Sequence, residues 1–437
     1  MYNILKHLGW YLIVFLCICP VIIWLSALPI SDRFSSSYLI LASISRISAL
    51  LAIMTFSLSL ITTLRANFLE NIFGGLNKVT AAHHMLGGFT LLLALLHSTT
   101  LTLKVASVSI RDAANISIPF LNSWSITLGI ISLWCLIALI VLTLYVKLPY
   151  DIWLITHKLL GPIFLLAAIH TIFVGSDVSS NGALKTYLII FTALACITYV
   201  YRTVLPQILV KRYRYFVAEA HQLKRDVVRI TLRPYKNILA YKSGQFIFVS
   251  FRARGFSPEW HPFSISSSST PENITITVKA LGDYTKALVN FAPSMVGSSV
   301  LLEGSFGRFS MENYSRKKQI WLAGGIGITP FLSMLGDIRP GYKIDLYYSV
   351  KTEDELIDKE LLKDYVTACR GALRVFPVIA SRDGLLNAER IAQTSGDIKH
   401  SDILICGPPP MMHSLGEQFY KLGLPHRQIH TEEFSFS

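Results

Sequence analysis

Four histidines are the residues whose type and placing most directly imply chemistry. The run HHMLGGFTLLLALLH carries His83, His84 and His97, and HKLLGPIFLLAAIH carries His157 and His170. Both runs are apolar enough to lie in lipid, where an ionisable side chain is costly and is kept for a function. A neutral imidazole can ligate heme iron through one ring nitrogen. Two on one helix and two on a neighbour would hold two hemes at different depths. His83 and His97 are fourteen residues apart, about 21 Å of helical rise and about 40° from a common face. His157 and His170 are thirteen apart, about 140° out of phase on a straight helix. Pro162 lies between them and can bend or unwind the segment. A single membrane histidine more often only hydrogen-bonds a neighbouring helix; four in paired positions favour heme. His84 is the spare, directed away from the face of His83. Arg46 sits in another apolar run. A buried guanidinium needs an anion, and an outer heme propionate would serve; snorkelling to the interface is the alternative.

The helices that would position these residues are legible as six apolar stretches near 9–28, 39–63, 79–103, 125–146, 153–174 and 186–206, each about long enough to span a bilayer. The first is too long for the apolar core of a signal peptide and reads as a retained helix. The first 205 residues hold only 11 Lys and Arg and 5 Asp and Glu, while the remaining 232 hold 29 and 22. One half therefore reads as membrane-embedded and the other as an ordinary water-facing protein. Basic residues in short loops favour an inside N-terminus: Lys6, Arg65, Lys78, Lys147 and the cluster Lys211, Arg212 and Arg214 fall on that side. The excess positive charge of the second half suits anionic lipid rather than nucleic acid, since no Lys/Arg run forms a patch. The six cysteines form no CxxC pair, which argues against iron–sulfur and structural zinc sites.

Beyond about residue 213 the texture becomes β-rich, with runs at 226–232, 245–251 and 274–278 that suggest a small antiparallel barrel. From Gln319 the order is strand, Gly-rich turn, helix, then KIDLYYSV and DILICGPPPMM, which reads as a parallel α/β domain. The expected organisation is a six-helix transmembrane heme domain over 1–208, an FAD-binding β-barrel over 209–315 and an NADP-binding α/β domain over 316–437. Three segments suit a flavin and a nicotinamide dinucleotide. HPFSISSSS at 261–269 offers hydroxyls and amides after a strand. VKALGDYTKAL at 278–288 opens a helix whose free N–H groups suit a pyrophosphate. LAGGIGITP at 322–330 is a Gly-rich strand-to-helix turn suited to a second one. Lys351 follows KIDLYYSV, with Ser349 beside it, and Arg382 follows a later strand. Such basic residues near an adenosine ribose suit a 2′-phosphate and hence NADPH.

The ordered set of histidine pairs, HPFSIS, GDYT, AGGIGITP, CGPPPMM at 406–412 and EEF at 432–434 resembles the NADPH oxidase and ferric reductase superfamily over nearly the whole chain. The resemblance implies that His83 with His157 holds an inner heme and His97 with His170 an outer one. It implies that His261, Pro262, Phe263 and Ser264 line the flavin, with Ser264 near its reactive nitrogen. Ser266, Ser267, Gly282 and Thr285 would hold the rest of the FAD. Gly324, Gly325, Gly327, Thr329 and Pro330 would meet the dinucleotide, and Cys406, Gly407 and Pro408 the nicotinamide. Phe434 would stack on the flavin and move aside for hydride transfer. Two departures stand out: related soluble reductases place Arg at the position of His261, and animal oxidases carry a histidine where Leu101 stands.

The expected activity is transfer of electrons from cytosolic NADPH through FAD and two b-type hemes across a cell membrane. The acceptor is O2, giving superoxide, or a ferric or cupric complex. A six-helix channel or scaffold would explain neither the histidines nor the nucleotide motifs. No regulatory subunit is implied by any visible extension.

Overall fold

In the computed structural model, which describes residues 2–270 and 272–433, six helical segments are long and apolar enough to cross a membrane. They comprise α1 (Tyr2–Ser26), α2 (Ser37–Thr62), α3 (Leu76–Ala106), α4 (Trp124–Tyr145), the pair α5 (Tyr150–Lys158) and α6 (Leu160–Phe173), and α7 (Gly182–Tyr199). The central helix is α2: 56% of its apolar window is buried, against 17–28% in the other spans. Its buried residues include Ser43, Ser45, Ser48, Thr55, Ser57, Ser59 and Thr62. Small hydroxyl side chains let helices approach closely and bond to each other where lipid offers no partner. One such bond joins Thr90 Oγ1 of α3 to Thr55 Oγ1, at 2.9 Å.

The fifth span is broken at Leu159, between α5 and α6. The cause is local. Pro162 has no N–H to give to the carbonyl of Lys158, four residues earlier. The hydroxyl of Tyr199, at the end of α7, donates to that carbonyl at 2.9 Å. Gly161 makes room for it, since a Cβ there would lie 2.1 Å from the Tyr199 ring.

The chain separates into two compact units, one running to Val210 and the other beginning at Lys211. The second unit opens with six antiparallel strands: β1 (Tyr213–Lys224), β2 (Val227–Pro234), β3 (Phe246–Arg252), β4 (His261–Ser264), β5 (Ile274–Lys279) and β6 (Ser299–Phe306), in the order β4-β3-β6-β1-β2-β5. A bridge between Ile265 and Ile276 joins the two edges, which curls the sheet into the expected barrel and removes its open edges. Helix α8 (Asp283–Phe291) closes one side, burying Leu288 and Val289.

Five parallel strands follow, β7 (Lys318–Gly324), β8 (Lys343–Val350), β9 (Leu373–Ile379), β10 (Asp402–Cys406) and β11 (Ile429–Glu432), in the order β11-β10-β7-β8-β9. β7 and β10 are buried nearly throughout, as parallel strands covered on both faces must be. Gly325–Ile328 turns β7 into helix α9 (Thr329–Leu335), every residue of which is buried. The barrel and this sheet are tied together by Arg229 with Asp358, by Lys279 with Glu355, and by Asp337. Asp337 Oδ2 accepts from the Ser269 N–H at 3.0 Å, from the Ser269 hydroxyl at 2.8 Å and from the Ser243 hydroxyl.

Candidate functional site

The four histidines come together as two pairs inside the membrane unit. α2 and α3 run antiparallel, and the fourteen-residue step from His83 to His97 is matched by an equal step from Ser45 to Ser59. His83 Nδ1 lies 2.9 Å from the Ser59 carbonyl, and His97 Nδ1 lies 2.8 Å from that of Ser45. His170 Nδ1 meets the Ser125 carbonyl of α4 at 2.8 Å. A carbonyl can only accept, so each of these Nδ1 atoms carries the proton and Nε2 keeps its lone pair for a metal. Gly129 lets the His170 ring sit against α4, because a Cβ there would lie 2.7 Å from it.

His157 reaches His83, with ring centroids 5.9 Å apart and planes at 73°. Imidazole–metal bonds are about 2 Å long, so this separation suits one metal atom between two ring nitrogens. The interruption at Leu159 falls within the thirteen-residue spacing, so α5 and α6 need not share one helical screw. His97 and His170 line a common cavity of about 390 Å³. The surroundings of the outer pair therefore fit heme, and the facing rings of the inner pair suit ligation. His84 is exposed beside His83, with ring centroids 5.8 Å apart.

Arg46 also lines the 390 Å³ cavity, and its anion within the chain is Asp177, with Nε 3.4 Å from Oδ2. The same carboxylate oxygen accepts from the Trp24 indole N–H at 2.6 Å and faces Arg33 at 3.5 Å. Arg33 is buried, stacked over Trp24 and bonded to its carbonyl at 2.6 Å. Asp177 and Arg33 look like loop charges in the sequence; the fold gathers them at one end of the cavity.

In the barrel, His261 stacks on Tyr284 at 3.6 Å and its Nε2 lies 2.9 Å from Glu259. The Tyr284 hydroxyl is buried without a hydrogen-bond partner among the described residues; burial, then the charge of Glu259, pushes its pKa up. A buried hydroxyl left unmade costs about 1–3 kcal/mol, so a polar cofactor group beside the GDYT turn fits there. Ser264 is buried, with Pro262 and Phe263 alongside it on β4. The hydroxyls of Ser266 and Ser267 serve the loop itself. Ser266 bonds the Thr275 carbonyl at 3.1 Å and Ser267 lies 2.9 Å from the Tyr241 hydroxyl. Burial pushes Tyr241 up to about 12, so it stays a donor, bonding the Ser268 carbonyl at 2.5 Å. Thr285 Oγ1 caps α8, accepting from the N–H groups of Leu281 at 2.9 Å and Gly282 at 3.0 Å.

In the α/β domain, Gly324, Gly327 and Gly407 allow two loops to touch. A Cβ on Gly327 would lie 2.4 Å from the Cys406 carbonyl, and one on Gly407 would lie 3.0 Å from the Gly324 Cα. Gly325, at φ +54° with open space beside it, leaves room for a ligand to approach the backbone. Thr329 and Pro330 begin the buried helix α9, and Pro408 precedes helix α10 (Pro409–Lys421). Cys406 is fully buried beside Glu432; burial, with that neighbouring charge, holds the thiol protonated far above its ordinary range. Ser349 is the second-to-last residue of β8, half-buried, and Lys351 is exposed. Arg382 forks onto its neighbour Asp383 at 3.0 and 3.1 Å. Phe434 lies outside the described residues.

Comparison with known proteins agrees with this layout. A ferric reductase like transmembrane component matches residues 48–168, an FAD-binding domain 212–327 and an oxidoreductase NAD-binding domain 321–416. Flavohemoprotein B of Dictyostelium discoideum is 28% identical over 226 residues, 46% of this chain and 53% of that protein. Respiratory burst oxidase homolog protein D of Solanum tuberosum is 36% identical over 126 residues, covering 24% of this chain and 14% of the oxidase. Dual oxidase 2 of Homo sapiens is 32% identical over 104 residues, covering 22% and 7%. The chain thus spans about half the length of the first of these relatives and a small part of the two oxidases. In one order, the chain joins a ferric reductase like transmembrane component to FAD-binding and oxidoreductase NAD-binding domains, and parts of it are similar to the respiratory burst and dual oxidases.

Proposed function

We propose that the protein carries electrons from NADPH on the cytoplasmic side of a cell membrane, through FAD and two b-type hemes, to O2 on the opposite side, giving superoxide. The observation that carries this reading is the shared anchoring of His83, His97 and His170. Each bonds through Nδ1 to a carbonyl of a neighbouring helix. When bound, the flavin would take a hydride as two electrons and the hemes would accept them singly. The chain's own part is to hold the histidines in pairs along α3, α5 and α6, to exclude water from between them, and to keep Cys406 neutral where the nicotinamide is expected. Arg46, beside Asp177, would meet an outer propionate. Inside placement of the N-terminus and flavin unit, the 1–208, 209–315 and 316–437 division, the flavin-stacking role of Phe434 and the absence of a regulatory subunit belong to the same proposal.

A metalloreductase reading is favoured by Leu101, which lines the outer cavity where animal oxidases carry a histidine. The test is NADPH consumption by the purified full chain with superoxide trapping, with and without a ferric chelate. Superoxide in proportion to NADPH supports the oxidase. Chelate-dependent consumption without superoxide supports the metalloreductase. A protein without heme bands ends both readings.

A further inference from the structure

His157 is held differently from its three counterparts. Its Nδ1 is buried and has no hydrogen-bond partner among the described residues, whereas the other three bond to serine carbonyls. A ligating histidine ordinarily donates its second nitrogen to a carbonyl, carboxylate or water, which sets ring orientation and raises basicity. The ring of His157 instead lies flat on Trp153, 5.2 Å between centroids and 9° between planes. Stacking leaves a ring free to slide, so the backbone must supply the missing constraint.

That backbone is the last turn of α5, which ends one residue later at Lys158. The Lys158 carbonyl, deprived of its helical partner by Pro162, is held by the Tyr199 hydroxyl at 2.9 Å. At Gly161, the second residue of α6, a Cβ would lie 2.1 Å from the Tyr199 ring. Tyr199 closes α7, and a π-helical turn, Val200–Val204, follows it directly. Such turns recur at functional positions.

We propose that Tyr199 is a positioning residue for His157: its bond to the Lys158 carbonyl does for this ligand what the serine carbonyls do for the other three. The proposal rests on the heme reading above. It makes the inner pair unequal, with one ligand fixed through its own ring and the other through a clasp from the last transmembrane helix.

The test uses the full chain carrying its hemes, in nanodiscs, comparing wild type with Tyr199→Phe, which keeps the ring and removes the hydroxyl. Low-spin ferric heme is followed by EPR, and heme loss by transfer to apomyoglobin. The expected result is an unchanged heme content, one of two low-spin signals altered, and loss from one site faster by about 10–100-fold. Two wild-type signals with wild-type loss rates overturn the proposal. Gly161→Ala, which displaces the ring from the other side, should alter the same signal. If neither variant assembles, the proposal also fails, because it holds that the bundle survives loss of this clasp. Failure of the heme reading looks different: wild type without heme, or His157→Ala with both low-spin signals intact.

Discussion

At the scale of single residues, the informative atoms are ring nitrogens and the carbonyls they face. His97 is bonded to α2 through Nδ1 and shares a cavity with His170, while His83 faces His157. Removing one ligand should therefore empty one site only. His97→Ala is expected to lower heme from two per chain to one, read by pyridine hemochrome, with the inner site retained; loss of both would show the sites to be interdependent. At the other end of the chain, Arg382 is engaged by Asp383 and Lys351 stands exposed beyond β8. If these residues meet a 2′-phosphate, Lys351→Ala and Arg382→Ala should each raise KM for NADPH and leave KM for NADH unchanged. The rise should be modest, roughly two- to fivefold, because exposed charges are well screened. Equal effects on both cofactors would assign the phosphate to other residues.

At the scale of elements, close approach decides which turns can work. β7 and β10 are adjacent parallel strands, so their C-terminal turns, one Gly-rich and the other Gly407 followed by three prolines, arrive side by side. Gly327→Ala would force a Cβ to within 2.4 Å of the Cys406 carbonyl, a backbone atom that cannot rotate away. The expected outcome is loss of NADPH binding with FAD retained, since the barrel does not contribute to this contact. Flavin content and NADPH-driven flavin reduction measure the two separately; a variant with normal reduction would contradict the assignment. The GxG pattern and the CGPPPMM turn are both visible in the sequence, but their contact is not.

Across the whole molecule, buried charges join distant segments. Asp402 is nearly inaccessible, and its carboxylate receives the Arg316 N–H at 3.0 Å and faces His430 at 3.4 Å. Burial by itself would raise its pKa, but the bonds to His430 and Arg316 and their charges outweigh burial and hold it below the ordinary value. A carboxylate lowered in the folded state binds its proton more readily unfolded, so it stabilises the fold above about pH 4. That contribution disappears as pH falls through the lower folded value. Asp402→Asn should cost about 1–3 kcal/mol at pH 7 and less at more acid pH. Denaturant titration followed by flavin fluorescence checks this; a difference from wild type that is the same at pH 7 and pH 3.5 would refute it.

The sequence by itself determined the six spans, the barrel and the parallel sheet, because hydropathy, strand alternation and Gly-rich turns are local patterns. It also exposed its own unresolved point, the thirteen-residue step from His157 to His170, and named Pro162 as the place to look. Only the tertiary structure decided how that step is accommodated, since the clasp comes from Tyr199 on another helix. The same holds for Ser45, Ser59 and Ser125, whose carbonyls meet histidine ring nitrogens across helices, with the Ser45 and Ser59 hydroxyls 3.0 Å from the same nitrogens. Asp177 and Asp337 lacked a local signal as well: each is an ordinary acid until the fold brings donors from several elements to one oxygen. Local periodicity reports which residues are buried, whereas the partners of a buried polar group depend on long-range packing.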